Sequence, residues 1–376
     1  MGISNASLLG FLLLIFSGIA SGFSCYLIIR YDHHHAHLSH DLNDGPQKVH
    51  FVPTPRIGGI GLMLGLLFAG IGVVPVQLGF SMEQYIYLIL ASIPAFLGGL
   101  TEDITKRVGV ITRLMLTFAS SGIAIWLLGA SINRMDIPGF DALFNWMPFS
   151  VILTVIAVGG VANAVNIIDG FNGLAGGYSV VVLAALSWVA GILDDTFLMT
   201  TSLSLIGALI GYLIWNYPKG RIFLGDGGAY LLGFLIAEIS VLLVVRHPEV
   251  SAWFPLFLLA YPIFETLFTM VRRKIMKGYS VGQPDFLHLH QLIYRRLLGD
   301  RIGVDSPEFM TLRNNRVAPY FWLMACCVAI PALLLWRETR WLVALAFTYG
   351  FLYSGLYFRL ASGSMTKAIE TSHKSP

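Results

Sequence analysis

From Leu8 to Ile29 the chain passes 22 positions without a Lys, Arg, Asp or Glu. At about 1.5 Å per helical residue, such a run covers a hydrocarbon core of roughly 30 Å. Ten more apolar runs follow, near 58–76, 85–100, 114–131, 149–164, 174–193, 200–215, 230–245, 253–271, 320–336 and 342–358. Backbone at that depth has no water to bond, so each run is expected to be a helix that satisfies itself. With 56% hydrophobic and 12% charged residues, the sequence reads as an all-α integral membrane protein of about eleven transmembrane helices. The first run lacks a basic leading segment, which argues against a cleaved signal peptide.

Charge orients the bundle. With the N-terminus outside, twenty of the 24 Lys and Arg fall on inner segments, leaving Arg134, Arg246, Arg337 and Arg340 outside. An excess of basic residues marks the cytoplasmic side of a plasma (inner) membrane. Glu102-Asp103, Asn163 to Asp169, Gly225-Asp226-Gly227 and His288-Leu289-His290 all interrupt the apolar runs on that face, which predicts an active site at the cytoplasmic surface.

The net charge of +3 is small and the basic residues are spread, so the lipid bilayer is an expected partner and nucleic acid is not. Cys25, Cys326 and Cys327 sit in apolar runs without metal-ligand spacing, indicating neither a disulfide nor a thiolate site. No repeat or long linker divides the chain. Residues 1–376 read as one polytopic domain, with a long inner loop at 272–318, amphipathic over Phe286 to Leu298, and an inner tail at 361–376.

Four clusters carry chemistry. Glu102 and Asp103 have Lys106 and Arg107 one helical turn on, an arrangement suited to metal binding or proton abstraction and equally to a helix-end charge cluster. On a continuing helix, Asn163, Asn166 and Asp169 share a broad face, since successive three-residue steps drift by only about 60°. Amides and an acid at an apolar helix end are costly without partners. Asp226, between glycines at a helix entry, suits either an N-cap or a hard-cation ligand beside phosphate. His288 and His290 stand at i and i+2, about 200° apart on a helix, so joint action calls for extended backbone there.

Taken in order, Val52-Pro-Thr-Pro-Arg-Ile-Gly-Gly59, Glu102-Asp103, Asn163 to Gly173, Phe223 to Gly228 and His288-Leu-His290 resemble the polyprenyl-phosphate N-acetylhexosamine-1-phosphate transferase family. The resemblance implies transfer of a sugar 1-phosphate from a UDP-N-acetylhexosamine to a polyprenyl phosphate, releasing UMP, at the start of cell-surface polysaccharide assembly. It implies Mg²⁺, or Mn²⁺ in its place, with Asn166 and Asp226 as metal ligands and Phe223 against the uracil ring. Glu102, Asp103 and Asp169 match the family's essential acids, and His288 and His290 its histidine motif near phosphate. Lys48 and His50 lie near the first cytoplasmic motif, where Lys48, like Lys106 and Asn163, is a candidate for substrate binding. Assembly as a homodimer is left open.

Such a transfer must bring two anions together. At an effective dielectric of about 20, two doubly charged groups 5 Å apart repel by roughly 13 kcal/mol. A metal, Lys106, Arg107 and the imidazoles can offset that, while a carboxylate of the Glu102-Asp103 pair removes the last proton from the lipid phosphate.

This chain departs from the family's usual pattern at Glu102, where an Asp is common, at Asn172, where a second Asp is common, and at Gln291, where another His follows. The first widens carboxylate reach by one methylene and the second removes a charge from the site, while loss of the histidine run and of the peptidoglycan branch's motif favours a simple UDP-HexNAc over the MurNAc-pentapeptide donor of peptidoglycan synthesis. A metal transporter is the alternative of another class, with Asp32 to His40 as a metal-capturing segment, although a solvated loop is the simpler reading of those histidines.

Overall fold

The computed structural model describes residues 5–39, 53–73, 81–275, 287–296 and 307–372. In chain order the helices are α1 (Asn5–Arg30), α2 (Asp32–Ser39), α3 (Gly58–Val73), α4 (Met82–Thr105), α5 (Val110–Leu128), α6 (Met147–Ile168), α7 (Leu174–Ile192) and α8 (Thr196–Asn216). There follow α9 (Gly225–Arg246), α10 (Trp253–Leu258), α11 (Ala260–Ile275), α12 (Leu289–Arg296), α13 (Pro307–Asn315), α14 (Ala318–Leu334) and α15 (Thr339–Ser372). Among the described residues, nine helices are long and apolar enough to cross a membrane.

Two of the expected runs differ from the rest. The run at 58–76 is helical over Gly58–Val73, and its last residues lie outside those described. The run at 253–271 breaks between α10 and α11, because Pro262 has no N–H to return to Leu258, while Ile263 N–H reaches Leu259 O at 3.1 Å. The histidine-rich segment is helical where a loop is expected. Its His35 bonds Ser39 Oγ at 2.7 Å and the Ile28 carbonyl at 2.9 Å, which ties α2 to the end of α1. The described part of the 272–318 loop holds the end of α11 and all of α12 and α13, and α15 continues through the expected tail to Ser372.

Helix α9 is the axis of the bundle. Its membrane window is 94% buried against 22% for α1, α5 and α15, which turn Phe11, Trp126 and Phe351 outward as a lipid-facing surface. Helices α3, α4, α5 and α6 pack around α9. The approach is closest at its first turn, where a Cβ on Gly59 would stand 2.3 Å from Gly228 N and one on Gly99 2.4 Å from Gly227 N. Side chains at either position would force the backbones apart, at a cost of about 1–3 kcal/mol or more. The glycines beside the motifs therefore bring three helices together at one point.

Candidate active site

Asp226, the second residue of α9, is the centre of that point. Its carboxylate accepts a 2.9 Å hydrogen bond from Asn166 Nδ2, forms an ion pair with Arg113 and has Arg56 at 3.7 Å. The Arg113 guanidinium lies 5.6 Å from the centre of the Tyr230 ring, and Tyr230 O–H donates to Asn163 Oδ1 at 3.2 Å. Asn163 and Asn166 thus share the α9-facing side of α6. The helix ends at Ile168, with Asp169 half-buried just beyond it.

The adjacent acids of α4 diverge. Both Asp103 oxygens accept backbone N–H groups from the first turn of α9, Asp226 at 2.9 Å and Gly227 at 2.8 Å. Glu102 Oε2 accepts Val108 N–H at 2.6 Å, closing the turn that follows its own helix. Lys106 ends α4 in left-handed backbone, φ 55°, with its N–H on the Glu102 carbonyl at 2.8 Å. Each carboxylate therefore braces backbone, and Asp103 in particular sets the position of Asp226.

Phe223 is placed by backbone pairing with the Pro55 to Gly58 segment. Its N–H reaches Pro55 O at 2.8 Å, and its carbonyl accepts Gly58 N–H at 2.9 Å. The same pairing brings Arg56 into the site. Lys48 and His50 lie outside the described residues.

The histidine pair packs against the turn that follows α6. His288 stands one residue before α12 and His290 is inside it, so extended backbone serves only the first of the two. Their rings nevertheless stack, with centroids 5.3 Å apart and planes at 14°. A Cβ on Gly170 would lie 3.5 Å from His290 Nε2, which puts the imidazole beside the Asp169-Gly170 turn. Burial, with the charge of His288 acting in the same direction, holds His290 well below the usual histidine range.

Desolvation pushes the Asp169 carboxyl up to about 7, against the pull of the Arg56 guanidinium. Between about pH 4 and pH 7 the folded chain keeps a proton that the unfolded chain has released. Stability therefore falls as pH rises through that window. Asp169→Asn, which cannot ionise, is expected to narrow the difference in melting temperature between pH 5 and pH 8 in a fluorimetric scan.

Several groups here were not singled out from sequence. In the sequence Arg113 and Arg56 read only as inner cations or motif members, although Arg113, in the first turn of an apolar helix, is itself a signal of function. Asn172 is buried, and its hydrogen bonds go to groups other than Asp226. Its N–H donates to Asn314 Oδ1 at 2.9 Å, and its Nδ2 to Asn315 Oδ1 at 3.0 Å and to the Pro218 carbonyl at 3.2 Å. An aspartate there would aim a carboxylate at two oxygens, so the amide suits this brace. Asn216 completes it, accepting Gly173 N–H at 2.6 Å and donating to the Ile222 carbonyl at 2.8 Å.

The Asn166 side chain touches the Asp226 carboxylate through its amide nitrogen, and turning the amide over would offer its oxygen beside the carboxylate as a second hard donor. Mg²⁺ commonly takes one or two protein oxygens and completes its shell with phosphate oxygens and water, so this pair fits such an ion together with a diphosphate. Among the described residues there is no group of three or more His, Cys, Asp or Glu able to hold a metal by itself.

The family model described as glycosyl transferase family 4 matches residues 85–244, a stretch that holds Glu102, Asp103, Asn166, Asp169 and Asp226. The chain is 29% identical over 270 residues to the "probable undecaprenyl-phosphate N-acetylglucosaminyl 1-phosphate transferase" of Bacillus subtilis (strain 168), covering 69% of this chain and 70% of that protein. It is 30% identical over 263 residues to the undecaprenyl-phosphate alpha-N-acetylglucosaminyl 1-phosphate transferase of Escherichia coli (strain K12), covering 66% and 67%. To the decaprenyl-phosphate N-acetylglucosaminephosphotransferase of Mycobacterium leprae it is 29% identical over 276 residues, covering 65% and 67%.

Proposed function

This chain belongs to glycosyl transferase family 4, among the polyprenyl-phosphate N-acetylhexosamine-1-phosphate transferases, and from that premise we propose how its own residues carry out the transfer. It is a membrane-embedded enzyme that moves a HexNAc 1-phosphate onto polyprenyl phosphate. We assign the donor as a UDP-HexNAc and the acceptor as undecaprenyl phosphate, with UMP as the leaving group. The observation that carries the reading is the convergence of Arg56, Arg113 and Asn166 on Asp226 at the first turn of α9.

Arg56 and Arg113 bind the diphosphate, exchanging their contacts with Asp226 for phosphate oxygens. Asp226 and Asn166 would hold Mg²⁺ or Mn²⁺, which when bound neutralises charge on the diphosphate and on departing UMP. Phe223 offers an aromatic face for the uracil ring. With both Asp103 oxygens and one of Glu102 engaged by backbone N–H groups, Asp169 becomes the best-placed acceptor for the last proton of the lipid phosphate. A carboxyl near 7 is well matched to a phosphate whose second ionisation lies near 6. His290, kept neutral, lies next to that turn and can donate or accept only one hydrogen bond at its open nitrogen.

Donor choice is tested with purified protein, undecaprenyl phosphate, Mg²⁺ and separate UDP-sugars. A product with UDP-GlcNAc or a 6-deoxy UDP-HexNAc, and none with UDP-MurNAc-pentapeptide, is the expected result; the reverse preference would overturn the assignment.

The cytoplasmic orientation rests on the bias of basic residues. Single cysteines placed beside Lys106 and Lys219 are expected to resist an impermeant thiol reagent in intact cells, and one beside Arg246 to be labelled. The opposite pattern would put the site on the wrong side for cytoplasmic nucleotide sugars.

A further inference from the structure

Glu265 lies in the apolar run at 253–271, on α11, and is fully buried. Its carboxylate is surrounded by donors. Leu289 N–H reaches its two oxygens at 3.1 and 3.3 Å, Tyr353 O–H donates to Oε2 at 2.9 Å, and Thr269 O–H lies 3.5 Å from Oε1. His288 Nδ1 is 2.8 Å from Oε1. Because the other partners are all donors, the carboxylate acts as acceptor throughout, and His288 must carry its proton on Nδ1. Nε2 is then the open nitrogen.

The neighbouring histidine is held in the same manner. His290 Nδ1 bonds Tyr261 O–H at 2.9 Å, and Tyr261 precedes Glu265 by one helical turn on the same side of α11. Two anchors four residues apart on one helix therefore grip two stacked imidazoles by their Nδ1 edges. His290 Nε2 lies on the Gly170 side, and the His288 ring, stacked on it and held by the same edge, runs alongside.

We propose that Glu265 is a positioning residue for the transfer: it fixes the tautomer and the angle of His288 so that Nε2 meets the phosphate group, while Tyr261 does the same for His290. The role rests on the transferase reading given above. It also accounts for a carboxylate inside an apolar run that touches none of the Asp226 cluster, since burying such a group is costly unless it is fully bonded. Groups that orient a functional histidine through its second nitrogen typically contribute about 10- to 100-fold.

A double-mutant cycle tests the coupling. Glu265→Gln is expected to lower kcat by about 10- to 100-fold with little change in KM for the UDP-sugar. In a His288→Ala background the same change should have little further effect, because residues acting as one unit are not additive. Glu265→Asp, which keeps the carboxylate on a shorter arm, should recover part of the loss, and it takes the place of Glu265→Gln in the cycle if the latter does not fold. Equal losses with and without His288 would show a merely structural carboxylate and overturn the proposal.

A ¹⁵N-histidine spectrum of the intact protein reads the pair without turnover. The signal that disappears in His288→Ala should be that of the Nδ1–H tautomer in the wild type and should change in Glu265→Gln. A proton on Nε2 instead would overturn the proposal. An absence of any transfer by the wild type would count against the transferase reading, while the spectrum still decides the Glu265–His288 pair.

Discussion

Asp226→Asn is expected to lower turnover by about 10²- to 10³-fold, the scale on which preorganised charge acts at a reacting phosphate. The substitution keeps the size of the side chain and removes the charge that meets Arg56, Arg113 and Asn166. Because the neutral amide remains a poor cation ligand, raising Mg²⁺ should recover part of the rate. Initial rates over a Mg²⁺ series check this. Wild-type turnover with an unchanged Mg²⁺ dependence would remove Asp226 from the centre of the site.

Asp103→Asn should fail differently. The wild-type side chain accepts two backbone N–H groups from α9, and an amide must turn its NH₂ toward one of them. Leaving a buried donor unpaired costs about 1–3 kcal/mol, so the melting temperature should drop by a few degrees. The first turn of α9 would move with it, and a displacement of about 1 Å can cost about 10²-fold in rate. Stability and turnover should therefore fall together, with partial recovery of neither by Mg²⁺. A loss of turnover at unchanged melting temperature would instead make Asp103 a reacting group.

Much of this site could be read from the sequence because polar groups are conspicuous in an apolar chain. Asn166, Asp169 and Asp226 stand out because each sits beside the end of a run that must otherwise face lipid or protein, and the histidines because they pair at i and i+2. Their expected grouping on one membrane face rests on the bias of Lys and Arg, whereas the helical fold was legible in the length of the runs. What the residues do to one another was harder to read. The pairing of Arg113 with Asp226 joins positions more than a hundred residues apart and leaves no local periodicity. Glu102 and Asp103 look like a chemical pair because they are adjacent, yet neighbours on a helix point about 100° apart, and backbone donors claim both.

Glu265 was missed for another reason. Its run is apolar enough as a whole that a single carboxylate does not break the signal for a span. Asn172 looked like a charge lost from the site, whereas its amide braces the turn against Asn314, Asn315 and Pro218. The α10–α11 break had its signal in Pro262, which a hydropathy window averages away. The histidine-rich segment read as a loop on composition, but His35 reaches back to Ile28 and supports a short helix.

In the transfer the sugar is expected to travel with its phosphate. Donor labelled with ³²P in the β-phosphate, incubated with the purified protein, Mg²⁺ and undecaprenyl phosphate, tests it most directly. Label entering the lipid fraction with an equal release of UMP is the predicted result. Label remaining water-soluble as UDP, while the sugar alone reaches the lipid, would contradict the account.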